Sequence, residues 1–224
     1  MNYLASHPAF NDTIESLKHE FKDDTSNTLV ICGAQNYHIN KFYELKKQYD
    51  KIIVFQMEQL NTQQRILWSS NGQTIDKNYF MWLKIADEVW DYDESNLDVL
   101  KFIRSDAKLH LLKPYKDWSV YKPVNKDIDI LFYGAMNEHR KKILDKLKQK
   151  YKVVVLNSFD NKTLDNYILR SKVLLNVHYY YDAACQEQAR MIRWIGAPCR
   201  IVSEKSFKNY LNIEEMNYED LFNL

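Results

Sequence analysis

"IDILFYGAMNEHRKKILDKL", residues 128–147, decides how this chain is read. It begins as an apolar run short enough for a buried strand and turns within a few residues into a basic helix. Between the two stands Gly134, one of only 4 glycines in the chain. A glycine has no Cβ, so backbone there can approach a ligand closely. The helix start that follows offers free N–H groups and the positive end of a dipole, which favours an anion such as phosphate. Arg140 is then placed for bidentate contacts to a diphosphate, which a lysine cannot make. A tight strand-to-helix turn with solvated basic residues remains the alternative reading of the same stretch.

Outward from this stretch the same alternation fills the chain. Upstream, residues 27–33, 51–58, 87–92 and 108–114 read as strands, and 39–49, 78–86 and 94–103 as helices. Residues 115–127, "YKDWSVYKPVNKD", carry Pro123 and no apolar periodicity, and read as a linker. Downstream of residue 147, strands are expected at 152–158, 173–180 and 199–204, with helices at 162–171 and 183–197. Two βαβ series across a linker predict an α/β protein of two Rossmann-like lobes with parallel sheets, 1–114 and 128–224. Ligands of such sheets bind at the carboxyl ends of the strands, and two facing lobes would put the site in a cleft between them.

Bulk composition narrows the class. The 224 residues are 46% hydrophobic and 27% charged, an ordinary globular balance. With 31 Lys+Arg against 30 Asp+Glu, the net charge of +1 supplies no global field for nucleic acid or an anionic membrane. A mean hydropathy of −0.53 and the lack of a long apolar run predict no membrane span. The polar start, broken by Pro8, reads as no signal peptide, and Cys32, Cys185 and Cys199 show no CxxC pattern. A reduced, cytoplasmic location and no zinc site are therefore expected. Neither GxGxxG nor GxxxxGK[ST] occurs, which disfavours a dinucleotide fold or a P-loop.

The stretch 174–204, "LLNVHYYYDAACQEQARMIRWIGAPCRIVSE", is the second candidate. Its strand runs into Asn176, His178 and three tyrosines, then a predicted helix carries Glu187 and Arg190 on adjacent turns. A carboxylate near a strand end is well placed to accept from two ribose hydroxyls. A surface Glu187–Arg190 pair and a structural histidine are the bland readings.

In order and spacing, "DEVWDYDESNLDVLKF", "IDILFYGAMNEHRKKIL", "LLNVHYY", "EQAR" and "RIVSE" resemble a GT-B-fold glycosyltransferase, of a group common in viral and bacterial genomes. "VFQMEQL" resembles that group's first-lobe segment, so the likeness covers roughly residues 27–204. The resemblance implies a sugar nucleotide on the second lobe, an acceptor on the first, and transfer without cofactor or essential metal. By position it implies Gly134 and Arg140 at the diphosphate, Ser158 and Phe159 near the base, and Glu187 at the ribose, with Arg190 beside it. It also implies Ser203 and Glu204 near the nucleotide or sugar, with His178 and Tyr179 lining the cleft and His178 a candidate for chemistry. The chain is short for the fold, which implies a shortened second lobe. The glutamate spacing common among retaining enzymes is absent, which leaves stereochemistry open.

In the first lobe, Gly33 closes the first strand as Gly134 does in the second. Gln35, Gln56, Trp68 and Tyr79 suit a sugar or nucleobase acceptor, and Glu58 is the candidate base. Two rival readings stand beside the transferase: a non-catalytic nucleotide- or sugar-binding protein, and a metal-dependent transferase using Asp91 and Asp93. For the second, helix capping by Asp93 or Ser95 is the competing explanation. The acceptor is left open among a glycan, a protein, a small molecule and a modified nucleobase. A tyrosine- and tryptophan-rich surface points to a homodimer.

Overall fold

A computed structural model describes residues 1–60, 77–182 and 185–224. The chain divides into two compact units, residues 1–115 with 188–192, and residues 116–187 with 193–224.

In the first unit five strands alternate with helices: β1 (Asn2–Ala5), α1 (Asn11–Glu20), β2 (Thr28–Cys32), α2 (Asn40–Lys46) and β3 (Lys51–Gln56) come first. α3 (Lys77–Ile85), β4 (Glu88–Asp91), α4 (Glu94–Leu100) and β5 (Lys108–Leu109) follow. All pairs are parallel, in the order β1-β2-β3-β4-β5. β2 is buried at every position, as a strand covered on both faces must be. Ile31, Ile52 and Val54 pack with Tyr79, Trp82 and Leu83 of α3 and Val89 of β4. Each such fully buried side chain contributes about 1.5–3 kcal/mol.

The second unit repeats the plan with β6 (Ile128–Tyr133), α5 (Glu138–Leu147), β7 (Val153–Leu156), α6 (Asn161–Arg170), β8 (Ser171–Asn176), β9 (Arg200–Glu204) and β10 (Glu214–Met216). Its parallel order is β10-β9-β8-β6-β7. The α/β class with two parallel sheets is as expected. Among the described residues no helix is long and apolar enough to cross a membrane.

Several expectations are corrected. Residues 1–20, assigned no element from sequence, supply β1 and α1, and the last twenty residues supply β10 and a 3-10 turn at Asp220–Asn223. The expected short second lobe therefore carries as many strands as the first. β8 stops at Asn176 instead of reaching Tyr180, because side chains take over its hydrogen bonding. The Arg140 Nε donates to the Val177 carbonyl at 2.9 Å, and the His178 N–H donates to Glu204 Oε2 at 2.8 Å. The long helix expected at 183–197 is a four-residue α7 (Gln188–Met191) and a 3-10 turn at Ile192–Trp194, with 183 and 184 outside the described residues. The Gln188 amide explains why α7 groups with the first unit. Its Oε1 accepts from Leu112 N–H at 3.2 Å and its Nε2 donates to the Tyr92 carbonyl at 2.7 Å. The linker is anchored within the second unit: Lys116 pairs with Asp165 at 2.5 Å, and Trp118 Nε1 donates to the Arg193 carbonyl at 2.9 Å.

Candidate functional site

In the second unit, β6, β8 and β9 are adjacent or next-but-one, and their carboxyl ends bring Gly134, Asn176 and Glu204 to one edge. Gly134 adopts φ 134°, a value that side chains disfavour, as the chain turns toward α5. Asn137 caps that helix. Its Oδ1 accepts from the Arg140 N–H at 3.0 Å, and its amide nitrogen donates to the Tyr179 carbonyl. The backbone N–H groups of Glu138 and His139 have no acceptor among the described residues.

Arg140 does not face outward from this turn. Its residue is 1% exposed, and its guanidinium donates to three oxygens: Val177 O at 2.9 Å, Ala135 O at 2.6 Å and Glu187 Oε1 at 2.9 Å. It also lies 5.4 Å from the Phe132 ring and 5.1 Å from the Tyr179 ring. The predicted diphosphate contact of Arg140 and ribose contact of Glu187 are thus replaced, in this structure, by contact with each other. Glu187 also precedes the first turn of α7, so it and Arg190, which is half-buried, do not stand on adjacent turns of one helix.

His178 is likewise enclosed, at 2% exposure. Its Nδ1 stands 3.7 Å from Glu187 Oε2 and its Nε2 lies 3.2 Å from the Lys205 carbonyl. Burial works against its charge, but the carboxylates of Glu187 and Glu204 outweigh it and hold the imidazole above its ordinary range. Glu204 carries a second histidine. The Nε2 of His139 is 3.1 Å from both carboxylate oxygens, and the His139 ring stacks on Tyr218 at 4.1 Å. Ser203 is buried, its Oγ accepting from Asn176 Nδ2 at 3.0 Å and donating to the Glu204 carbonyl at 2.8 Å. Ser158 and Phe159 are half-buried, and the Ser158 Oγ accepts from the Asp160 N–H at 3.2 Å at the start of α6.

At the carboxyl edge of the first unit, Gln56, Tyr79, Asp91 and Asn96 are all fully buried. Gln56 donates to Asp91 Oδ2 at 2.7 Å and to the Glu58 carbonyl at 2.7 Å, and accepts from the Tyr79 hydroxyl at 2.9 Å. Asp91 Oδ1 accepts from the Asp93 N–H at 2.8 Å and from Asn96 at 3.2 Å. Burial nevertheless pushes the Asp91 carboxyl up to about 8, against those bonds. Gln56 and Tyr79, read as acceptor-side groups, are interior members of this network. Asp93 caps α4, its Oδ1 accepting from Ser95 N–H at 3.0 Å and Ser95 Oγ at 2.7 Å. Asp93 is thus the helix cap that the capping reading of the Asp91–Asp93 stretch expects. Glu58 is half-buried and accepts from Gln35 Nε2 at 2.9 Å. Gly33 takes φ 63°, and a Cβ there would sit 2.6 Å from both Gln35 Oε1 and the Phe10 ring. Trp68 lies outside the described residues.

No family model matches the chain. It is similar to "Uncharacterized protein L140" of Acanthamoeba polyphaga mimivirus, 26% identical over 201 residues, covering 86% of this chain and 60% of that protein. "Uncharacterized protein L138" of the same virus is 26% identical over 201 residues, again 86% of this chain but 21% of the relative. "Uncharacterized protein L137" is 28% identical over 130 residues, 53% of this chain and 17% of the relative. The chain thus spans under two thirds of these relatives. A match of 201 residues is longer than either unit, so parts of both recur in the first two.

Sequence reasoning missed Asn137, His139 and Tyr218, and misjudged the direction of Arg140. The last had a signal: Arg140 lies three, four and seven residues before Ile143, Leu144 and Leu147, all buried, so the helical period puts it on the inward face. Asn137 also had one, an Asn three residues before the first buried position of a helix. The pairing of His139 with Glu204 and Tyr218 had none, since its partners lie 65 and 79 residues away.

Proposed function

We propose that this chain is a glycosyltransferase that takes a sugar from a nucleotide-sugar donor without a metal ion, its second unit holding the donor's diphosphate at the turn between β6 and α5. The observation that carries this reading is the pair of unaccepted N–H groups on Glu138 and His139, beneath a glycine of positive φ at the carboxyl edge of a parallel sheet. Backbone donors at a helix start favour an anion of this kind. The ordered resemblance of the sequence supports the sugar-transfer half. In the reaction, the bond between the sugar C1 and the diphosphate oxygen breaks as the acceptor oxygen bonds to C1. The acceptor's proton passes to water or to the released diphosphate, and the negative charge left on that diphosphate is met by fixed N–H groups that need no reorganisation. Arg140 acts in this reading by holding the turn, through Ala135 and Val177, rather than by touching the ligand.

A second reading, a nucleotide-binding protein that transfers nothing, is favoured by one feature. Arg140, Glu187, His178 and Glu204 are engaged with one another or with nearby backbone. A thermal-shift screen of nucleoside diphosphates and their sugar conjugates, with and without EDTA, tests both. A ligand at 100 times its Kd adds about 2.7 kcal/mol. We expect one nucleotide family to raise Tm in EDTA, and free nucleoside diphosphate to appear when its sugar conjugate is supplied with acceptors. Stabilisation without release on any acceptor supports the binding protein, and no stabilisation by any nucleotide sinks both.

A further inference from the structure

The second sheet ends on β7, four uncharged apolar residues, Val153–Leu156, each half-buried. Pairing with β6 uses alternate residues. The carbonyls of Lys152 and Leu156 accept from the N–H groups of Ile130 and Gly134, each at 3.3 Å. In extended backbone, 152, 154 and 156 therefore turn their polar groups toward β6, and Val153 and Val155 turn theirs away. Neither Val153 nor Val155 has a further hydrogen bond among the described residues. Such a row of open donors and acceptors is a template for another strand.

The other sheet edges are blunted. β5 has two residues, and β10 has three, two of them Glu214 and Glu215. On β1 the Ala5 carbonyl already accepts from the Tyr37 hydroxyl at 2.8 Å. β7 has four residues, all apolar, and among the described residues no side chain bonds its outward backbone groups as Tyr37 bonds Ala5 on β1.

We infer that β7 is a self-association edge, on which β7 of a second copy pairs antiparallel about a twofold axis through Val154. This register lets both outward residues of each strand meet outward residues of the other. Val153 exchanges two backbone hydrogen bonds with the partner's Val155, and Val155 does the same with the partner's Val153. The Val154 side chains meet across the axis as a close, non-hydrogen-bonded β-branched pair. Charge fits the same register. Lys150, Lys152 and Tyr151 fall opposite Ser158, Leu156 and Asn157 of the second copy, so no lysine opposes a lysine. A slip by one residue would set outward groups against inward ones and is excluded. The interface is isologous and joins two five-stranded sheets into one.

Sedimentation velocity on the whole chain, from low to high micromolar concentration, combined with deuterium exchange, tests this. The apparent mass is expected to double with concentration. Over the same range the amides of Val153 and Val155 should gain protection, while those of Val154 and Leu156 are protected throughout. Val155→Pro removes an outward N–H, a position where edge strands accept proline, and should be monomeric. Val154→Lys sets two ammonium groups against each other on the axis and should also be monomeric, which covers the case in which the proline variant misfolds. Val154→Thr should still dimerise. A chain that stays monomeric with fast exchange at 153 and 155 overturns the inference. So does a dimer that survives both V155P and V154K, since another surface would then hold it.

Discussion

At the end of β4, Asp91 is enclosed among the amides of Gln56 and Asn96 and the Asp93 N–H, and among the described residues no cation donates to it. In the second unit, beside the end of β8, Arg140, Glu187 and His178 are enclosed just as deeply, but as opposite charges. The two networks solve one problem, the polar groups left where parallel strands stop, in different currencies of charge. Neutral donors tie the 57–60 segment to α4, through Asn96 to the Glu58 carbonyl at 3.1 Å and to the Leu60 N–H at 2.7 Å. Ions tie the turn after β6 to β8, and their pairing makes each dependent on its partner. The second edge keeps the open N–H groups of Glu138 and His139 beside its ionic network. The ionic arrangement is therefore the one beneath a candidate ligand site.

The contrast is open to attack by substitution. The largest effect is expected in the second unit. Arg140→Ala leaves Glu187 buried without its cation and should cost about 3–5 kcal/mol in urea unfolding. A paired change to apolar residues, Arg140→Met with Glu187→Leu, should cost clearly less. Equal losses would mean that the guanidinium matters through Val177 and Ala135 alone.

The next test separates the networks by pH. Burial raises the Asp91 carboxyl to about 8, so its folded form binds the proton more tightly than the unfolded chain. Stability from that proton is complete below the ordinary carboxylate range and is lost as pH rises toward 8, with a slope of at most about 1.4 kcal/mol per pH unit. Asp91→Asn should remove this slope between pH 5 and about 8. If wild type shows none, the three donors keep Asp91 ionised. His178, also raised, contributes stability that is present below its ordinary imidazole range and fades as pH climbs above it. His178→Gln should remove that later loss and leave the Asp91 slope in place.

The smallest effects come from the two caps. Asp93→Ala and Asn137→Ala should each cost about 1 kcal/mol, with Asn137 toward the upper end because it also holds the Tyr179 carbonyl. Only Asn137→Ala should change the thermal response to nucleotides. An equal change from Asp93→Ala would favour the metal-dependent reading.

How far the sequence reached follows from which interactions are local. Strand and helix alternation from residue 27 to 171 was legible because periods of two and 3.6 residues need no distant partner. The N-terminal β1 was missed because a four-residue edge strand, "NYLA", carries too little pattern, whereas α1 had a signal in Ile14 and Leu17, buried three residues apart. The helix expected over 183–197 failed where side chains, among them Glu187 and Gln188, serve distant backbone and side-chain groups. Capping by Asp93 or Ser95 was legible at the start of the "ESNLDVL" helix, and Asp93 is the cap.

By itself, then, the sequence determined two parallel α/β units, the glycine turns that close β2 and β6, and the absence of a long apolar helix among the described residues. Only the tertiary structure decided what Arg140 does. Its helical period could turn it inward, but a buried guanidinium is stable only where carbonyls and a carboxylate converge on it. Those groups come from residues 5, 37 and 47 positions away. Desolvating a charge is a cost that local patterning cannot offset, so its place was settled by partners that the fold alone assembles.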